Sequence, residues 1–149
     1  AETTLALAEH PNIVAVKEAS GDLEQMSEII RHRPAHFSIV SGDDSLTLAL
    51  IAAGGHGIVS VVSNAVPRQM SDLCAAAISG DMAAARDWHL KLTPIFSAAF
   101  VESNPLPIKA SLAMMGRIGN TLRLPLVPMD QKHDAALRAA LVTAGVVLK

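Results

Sequence analysis

Ile13-Val14-Ala15-Val16-Lys17-Glu18-Ala19-Ser20-Gly21-Asp22 is the stretch on which the fold turns. Its first four residues form a short, largely β-branched apolar run, the pattern of a strand buried on both faces. Lys17 closes that run. Open and closed α/β sheets keep their chemistry at the carboxyl ends of strands. A lysine partly withdrawn from water there holds its charged form less tightly than a solvated one. Neutral amine is the form that attacks a ketone or aldehyde to give a Schiff base. On local sequence alone, the plain alternative is a solvated lysine where a strand meets its loop.

Outward from Lys17, strand and helix patterns alternate. A strand over 13–17 precedes a helix near 22–33, with Asp22 as N-cap and Leu23, Met26, Ile29 and Ile30 on one face. Pro34 stops it. A second strand, 37–40, leads through Ser41-Gly42-Asp43-Asp44 into a helix near 44–53 that is apolar nearly all round. Gly54 and Gly55 end it. A third strand, 57–62, and the loop 63–66 lead to a helix near 67–79 with Pro67 at its first position. Met70, Leu73, Cys74, Ala77 and Ile78 form its apolar stripe.

After Gly80 only helices are expected. A long one from Asp81 carries Met82, Ala85, Trp88, His89, Leu92, Ile95, Phe96, Ala99 and Phe100 along one side, with Pro94 as a kink. Asn104-Pro105 reads as cap and first turn of a helix to about 115, ended by Gly116 and Gly119. Leu122–Pro128 reads as an extended connector. A last helix, near 130–144, turns Ala136, Leu137, Ala140, Leu141 and Ala144 inward.

Three strands separated by helices imply parallel pairing with right-handed crossovers. A free sheet of three such strands would have long apolar edges, and a full (β/α)8 barrel takes roughly 250 residues. The reading is therefore α/β: residues 1–80 are the last three βα units of a TIM barrel, and residues 81–149 are a helical C-terminal region. The chain starts without Met, partway along what looks like a helix, as if cut from something longer.

Composition narrows the function. The 149 residues are 50% apolar with mean hydropathy +0.35, enough for a sizeable core. A net charge of −2 suggests neither nucleic acid nor an anionic membrane as partner. Apolar runs are broken well short of a membrane span, and the first residues lack a signal-peptide pattern. A cytoplasmic location fits. Cys74 is the single cysteine, so no internal disulfide or thiolate metal cluster is available. There is no tyrosine.

The string Val16–Asp22, then Ser41-Gly42-Asp43-Asp44, then Gly54-Gly55-His56-Gly57-Ile58-Val59-Ser60-Val61 resembles the dihydrodipicolinate synthase family. Val101–Lys109 and Leu122-Arg123-Leu124-Pro125 resemble its C-terminal helical region. Each motif is weak alone, but five in order at family-like spacing cover essentially the whole chain. The resemblance implies a (β/α)8 barrel of the class I aldolase type in which Lys17 condenses with pyruvate. The enamine then attacks L-aspartate-4-semialdehyde, and cyclisation gives the lysine and diaminopimelate precursor. It also implies that Gly42 and Val59 line the pyruvate pocket, that no metal or organic cofactor is needed, and that the complete protein is a tetramer built as a dimer of dimers.

The family's N-terminal half has no counterpart here. Its Gly-Thr-Thr loop and Tyr-Asn-x-Pro strand bring the proton relay and an arginine for the aldehyde's carboxylate. Two alternatives stay open: a sibling pyruvate-dependent enzyme, such as N-acetylneuraminate lyase or a 2-keto-3-deoxy-sugar aldolase, and a non-catalytic half-barrel.

Other candidates read more simply as structure. Gly54-Gly55-His56-Gly57 precedes a strand, so it is a helix stop rather than a phosphate cradle. Asp43 and Asp44 sit at a helix start and suit capping better than paired acid–base work. His32 and His36 flank Pro34 without the spacing of a zinc pair. Cys74 is a core thiol. His56 and His89 fit either a core or a site.

Overall fold

The computed structural model describes residues 1–148. In chain order the elements are α1 (Glu2–Ala8), β1 (Ala15–Glu18), α2 (Leu23–His32), β2 (Ser38–Ser41), α3 (Thr47–Ala52), α4 (Pro67–Ser79), α5 (Met82–Ala98), α6 (Leu106–Met114) and α7 (Asp134–Thr143). Short 3-10 turns occupy Asp44–Leu46, Val62–Asn64 and Gln131–His133. The chain gathers into two compact units. One is Ala1–Ser60 with Asp72–Arg86; the other is Val61–Ser71 with the chain from Asp87 onward.

In the first unit, β1 and β2 pair in parallel, with Ala15 opposite Ser38, Lys17 opposite Val40 and Glu18 opposite Ser41. Parallel neighbours need a crossover, and α2 provides it. Asp22 caps α2 as its sequence predicts: its Oδ1 accepts from the N–H groups of Glu24 at 2.9 Å and Gln25 at 3.1 Å. Met26 and Ile29 of α2 bury against Ile39 of β2 and Leu50 of α3, with Val16, Ile30 and Leu46 packed around them. Fully burying each such side chain is worth about 1.5–3 kcal/mol, so this cluster is what presses the sheet onto α2 and α3. Leu23, expected on the same face, is exposed. The shorter α3, after the 3-10 turn, packs Ile51 with Ala77 and Ala85.

The strand expected over 57–62 is reduced to one bridge, Ile58 opposite Ser41. The hydrogen bonds are those of a parallel pair: Ser41 N–H to Gly57 C=O and Val59 N–H to Ser41 C=O, both 2.8 Å. The ladder stops because its flanks leave the extended region. Gly57 has φ +145°. Val61, at φ −82° and ψ −49°, has already turned helical.

In the second unit, α6 packs on α7 and on the Val62–Asn64 turn. Leu92, Ile95 and Phe96 of α5, Leu106 and Ile108 of α6, and Leu137 and Leu141 of α7 are buried. The side-chain amide of Gln69 donates to Ala144 C=O at 3.0 Å. Helix α5 continues through Pro94. Helix α6 opens later than the Asn104-Pro105 pattern predicts: Pro105 is itself the cap residue, off the helical region at φ −102° and ψ 20°. The apolar stripes overreach at their margins, where Ile78, Phe100 and Ala136 face solvent. The 122–128 connector is exposed along most of its length, Leu124 to 79%.

The two bonds to Asp22 make a test of the α2 cap. Asp22→Ala is expected to cost about 1 kcal/mol of stability in chemical denaturation. An unchanged midpoint would show that the first turn of α2 holds without it.

Candidate active site

Lys17 lies in β1, one residue from the strand's carboxyl end, and Gly42 is the first residue beyond β2. The structure brings these two together. A methyl group placed on Gly42 would stand 2.8 Å from Cε of Lys17, 3.1 Å from its Cγ and 2.6 Å from Cβ of Ala19. The lysine stem therefore lies in the space that a side chain at position 42 would fill. The contact is set by backbone pairing, since Gly42 N–H donates to Glu18 C=O at 2.6 Å. Val59 reaches the same strand end through its bond to Ser41, and its side chain is 51% exposed.

The expected burial of the first strand on both faces is overturned. Ala15 and Lys17 are exposed, whereas Val16 is half-buried and Glu18 is buried. Alternation along the strand explains this. Val16 and Glu18 face the α2 side, and Ala15 and Lys17 face the side that no element of this unit covers. Lys17 therefore lies on the open face of the strand.

Two buried carboxylates lie near this strand end, and the sequence reading missed the use of both. Glu18, 6% exposed, accepts from Ser20 N–H with both oxygens, at 3.2 and 3.3 Å, and from the Gln25 side-chain amide at 3.0 Å. Asp44 is fully buried and accepts from the Ser60 hydroxyl. It is not the capping residue; Asp43 is, its Oδ1 accepting from Ser45 N–H at 3.1 Å. A buried carboxylate is costly unless hydrogen-bonded, and Asp44 meets that need by tying the 3-10 turn after β2 to the segment carrying Val59. The Asp-Asp pair at a helix start hid this, because capping explains both residues equally well from sequence.

The remaining candidates fall into place as structure. Gly54 and Gly55 end α3, and Gly55 N–H donates to Leu50 C=O at 2.8 Å. His32 pairs with Glu28 at 3.0 Å on an exposed face, and His36 is exposed. His56 Nδ1 lies 3.2 Å from Ile39 N, which donates to it, so His56 serves the sheet edge. His89 lies in the second unit, its ring 5.7 Å from that of Phe96. Burial pushes its pKa down, and its Nδ1 has no hydrogen-bond partner among the described residues. Among the described residues, no three His, Cys, Asp or Glu side chains are grouped to hold a metal ion, and no helix is long and apolar enough to cross a membrane.

Cys74 is half-buried on α4. Burial first, and the Asp44 carboxylate second, push its thiol above the ordinary value. The folded state thus favours the neutral thiol. Its contribution to stability is complete below the ordinary thiol pKa and is lost as pH rises through the raised one. Alkylation of Cys74 by iodoacetamide, followed by mass spectrometry, is expected to rise at higher pH than in an unfolded control. Coincident pH profiles would contradict this.

Gly42→Ala has a defined steric outcome. Ala19 Cβ cannot swing away, so the lysine stem and the strand end must move together. Overpacking of this kind costs about 1–3 kcal/mol. Chemical denaturation together with a crystal structure of the variant checks both effects. An unmoved Lys17 at unchanged stability would disprove the close fit.

The model of the dihydrodipicolinate synthetase family matches residues 1–144. The 4-hydroxy-tetrahydrodipicolinate synthase of Koribacter versatilis is 48% identical over 145 residues, which are 97% of this chain and 48% of that protein. The crystal structure of dihydrodipicolinate synthase from Thermotoga maritima matches with a TM-score of 0.95 at 43% identity, over 98% of this chain and 51% of that one. The chloride-inhibited dihydrodipicolinate synthase from Acinetobacter baumannii, solved in complex with pyruvate, matches with a TM-score of 0.94 at 38% identity, over 98% and 50%. The chain spans about half the length of the relatives it matches. With a family model matched along nearly its whole length, the chain belongs to the dihydrodipicolinate synthetase family.

Proposed function

We propose that this chain carries the covalent half of a pyruvate-dependent lyase site that makes 4-hydroxy-tetrahydrodipicolinate for lysine and diaminopimelate synthesis. The observation that carries the reading is Lys17 near a strand's carboxyl end with its stem lodged against Gly42. In this reading β1, β2 and the Ile58 segment are the closing strands of a (β/α)8 barrel within residues 1–80. Residues 81–149 form the helical region that follows.

The chemistry runs through Lys17 Nζ. The neutral amine adds to the C2 carbonyl of pyruvate, and the carbinolamine loses water to give an iminium. Loss of a C3 proton gives the enamine, whose C3 attacks the aldehyde carbon of L-aspartate-4-semialdehyde. The substrate's own amine then displaces Lys17 from C2 as the ring closes. Gly42 leaves room for the stem and, with Val59, borders the pyruvate. Covering the open face of β1 would withdraw Lys17 from water. Aldehyde choice separates this enzyme from sibling aldolases, and the relatives' shared name favours the synthase. The complete protein is read as a cytoplasmic tetramer, a dimer of dimers.

A second reading, a half-barrel that is silent alone, is favoured by the exposure of Lys17 and the absence of tyrosine. A placed proton-transfer group is worth roughly 10²–10⁴-fold, so an intact lysine without its relay forms adducts but barely turns over.

Incubation with pyruvate, borohydride reduction and mass analysis of the Lys17 peptide test the proposal. An adduct that disappears in Lys17→Ala is expected. An adduct without turnover supports the second reading, and no adduct overturns autonomous Schiff-base chemistry.

A further inference from the structure

We propose that Glu18 is a positioning residue for Lys17, a role that rests on the reading of Lys17 as the nucleophile. Successive side chains on a strand point to opposite faces, so the Lys17–Glu18 peptide sits between a reactive side chain above and a buried one below. Whatever fixes Glu18 fixes the rotation of that peptide, and with it the direction in which Lys17 leaves the sheet.

Glu18 is held from three sides. Its two oxygens accept from Ser20 N–H, closing the turn that follows the strand. Gln25, in the first turn of α2, donates to Oε1 of Glu18. Its backbone C=O accepts from Gly42 N–H, the residue against which the lysine stem rests. Gly21 completes the turn at φ +77°, a conformation that glycine adopts freely. β1 is short and, among the described strands, is paired only with β2. Its end therefore has few other restraints. A carboxylate is suited to the position because it offers two acceptor oxygens to donors that converge from the turn and from the helix. An alanine there leaves the Ser20 and Gln25 donors unmet and the strand end held only by its backbone pairing with β2 and Gly42.

The test compares Glu18→Ala and Glu18→Gln with the unaltered chain in two measurements. The first is the rate of borohydride-trapped pyruvate adduct at saturating pyruvate, with pyruvate affinity obtained from the concentration dependence. The second, which needs no pyruvate, is the nuclear Overhauser contact between the Lys17 side chain and the Gly42 α-protons. Small misplacements of a reacting group can cost 10²-fold in rate, so E18A is expected to slow adduct formation by about tenfold or more with little change in affinity. It should also lose the Lys17–Gly42 contact. E18Q, which keeps one acceptor oxygen, should fall between.

Leu137→Ala, in the other unit, controls for general destabilisation. An equal slowing in L137A overturns the proposal, as does an E18A that keeps both rate and contact. If E18A does not fold, Gln25→Ala replaces it and must slow adduct formation and weaken the contact; otherwise the proposal fails. If the unaltered chain forms no adduct, the nucleophile reading falls, while the contact measurement still decides whether Glu18 holds Lys17 in place.

Discussion

The hydrogen bond from Gly42 N–H to Glu18 C=O is the joint on which the candidate site depends. It continues the parallel register of β1 and β2 one step past the last paired residues. Because of it, the loop after β2 closes over the end of β1 instead of leaving the sheet at once. The lysine stem then occupies the space where position 42 lacks a side chain. Shift the register by one residue, and Lys17 turns beneath the sheet while Glu18 takes its place on the open face.

The hydrophobic cluster below the sheet fixes that register energetically. Ile39 and Val16 meet Met26, Ile29 and Leu50, and a one-residue slip of β1 would turn Val16 away from them. The polar anchors act next, at the same strand ends. Asp22 starts α2, Glu18 binds the turn between β1 and α2, and Asp44 binds the segment beside β2 through Ser60. Apolar packing sets the register, and the carboxylates trim the loops at the candidate site.

Much of this was legible in the residues themselves. Helix α4 follows its sequence pattern from Pro67 to Ser79, and Asp22 is the cap that its position and neighbours imply. The order of strands and helices was also readable, whereas Gly42 entered as a companion of Lys17 only through the family resemblance. What was not legible depends on partners outside the local window. The 57–62 run has the β-branched composition of a strand, yet its hydrogen bonding ends at one bridge, because Gly57 and Val61 depart from extended geometry. The burial of β1 was misread because an apolar run reports what a strand prefers to contact, not whether a neighbour is present to cover it. The role of Asp44 is not legible because sequence gives its proximity to the helix start and not its distance from Ser60.

In a parallel pair, alternate residues direct their backbone groups to opposite edges. Val14 and Glu18 offer their carbonyls to β2, through Ser38 and Gly42 respectively. By the same alternation, the amides of Ala15 and Lys17 point to the opposite edge, along which no strand lies among the described residues. Hydrogen exchange at those two amides therefore reports on an uncovered border, while their neighbours in the same strand wait for the sheet to part. A single four-residue strand holds two clocks, and the candidate nucleophile keeps time with the faster one.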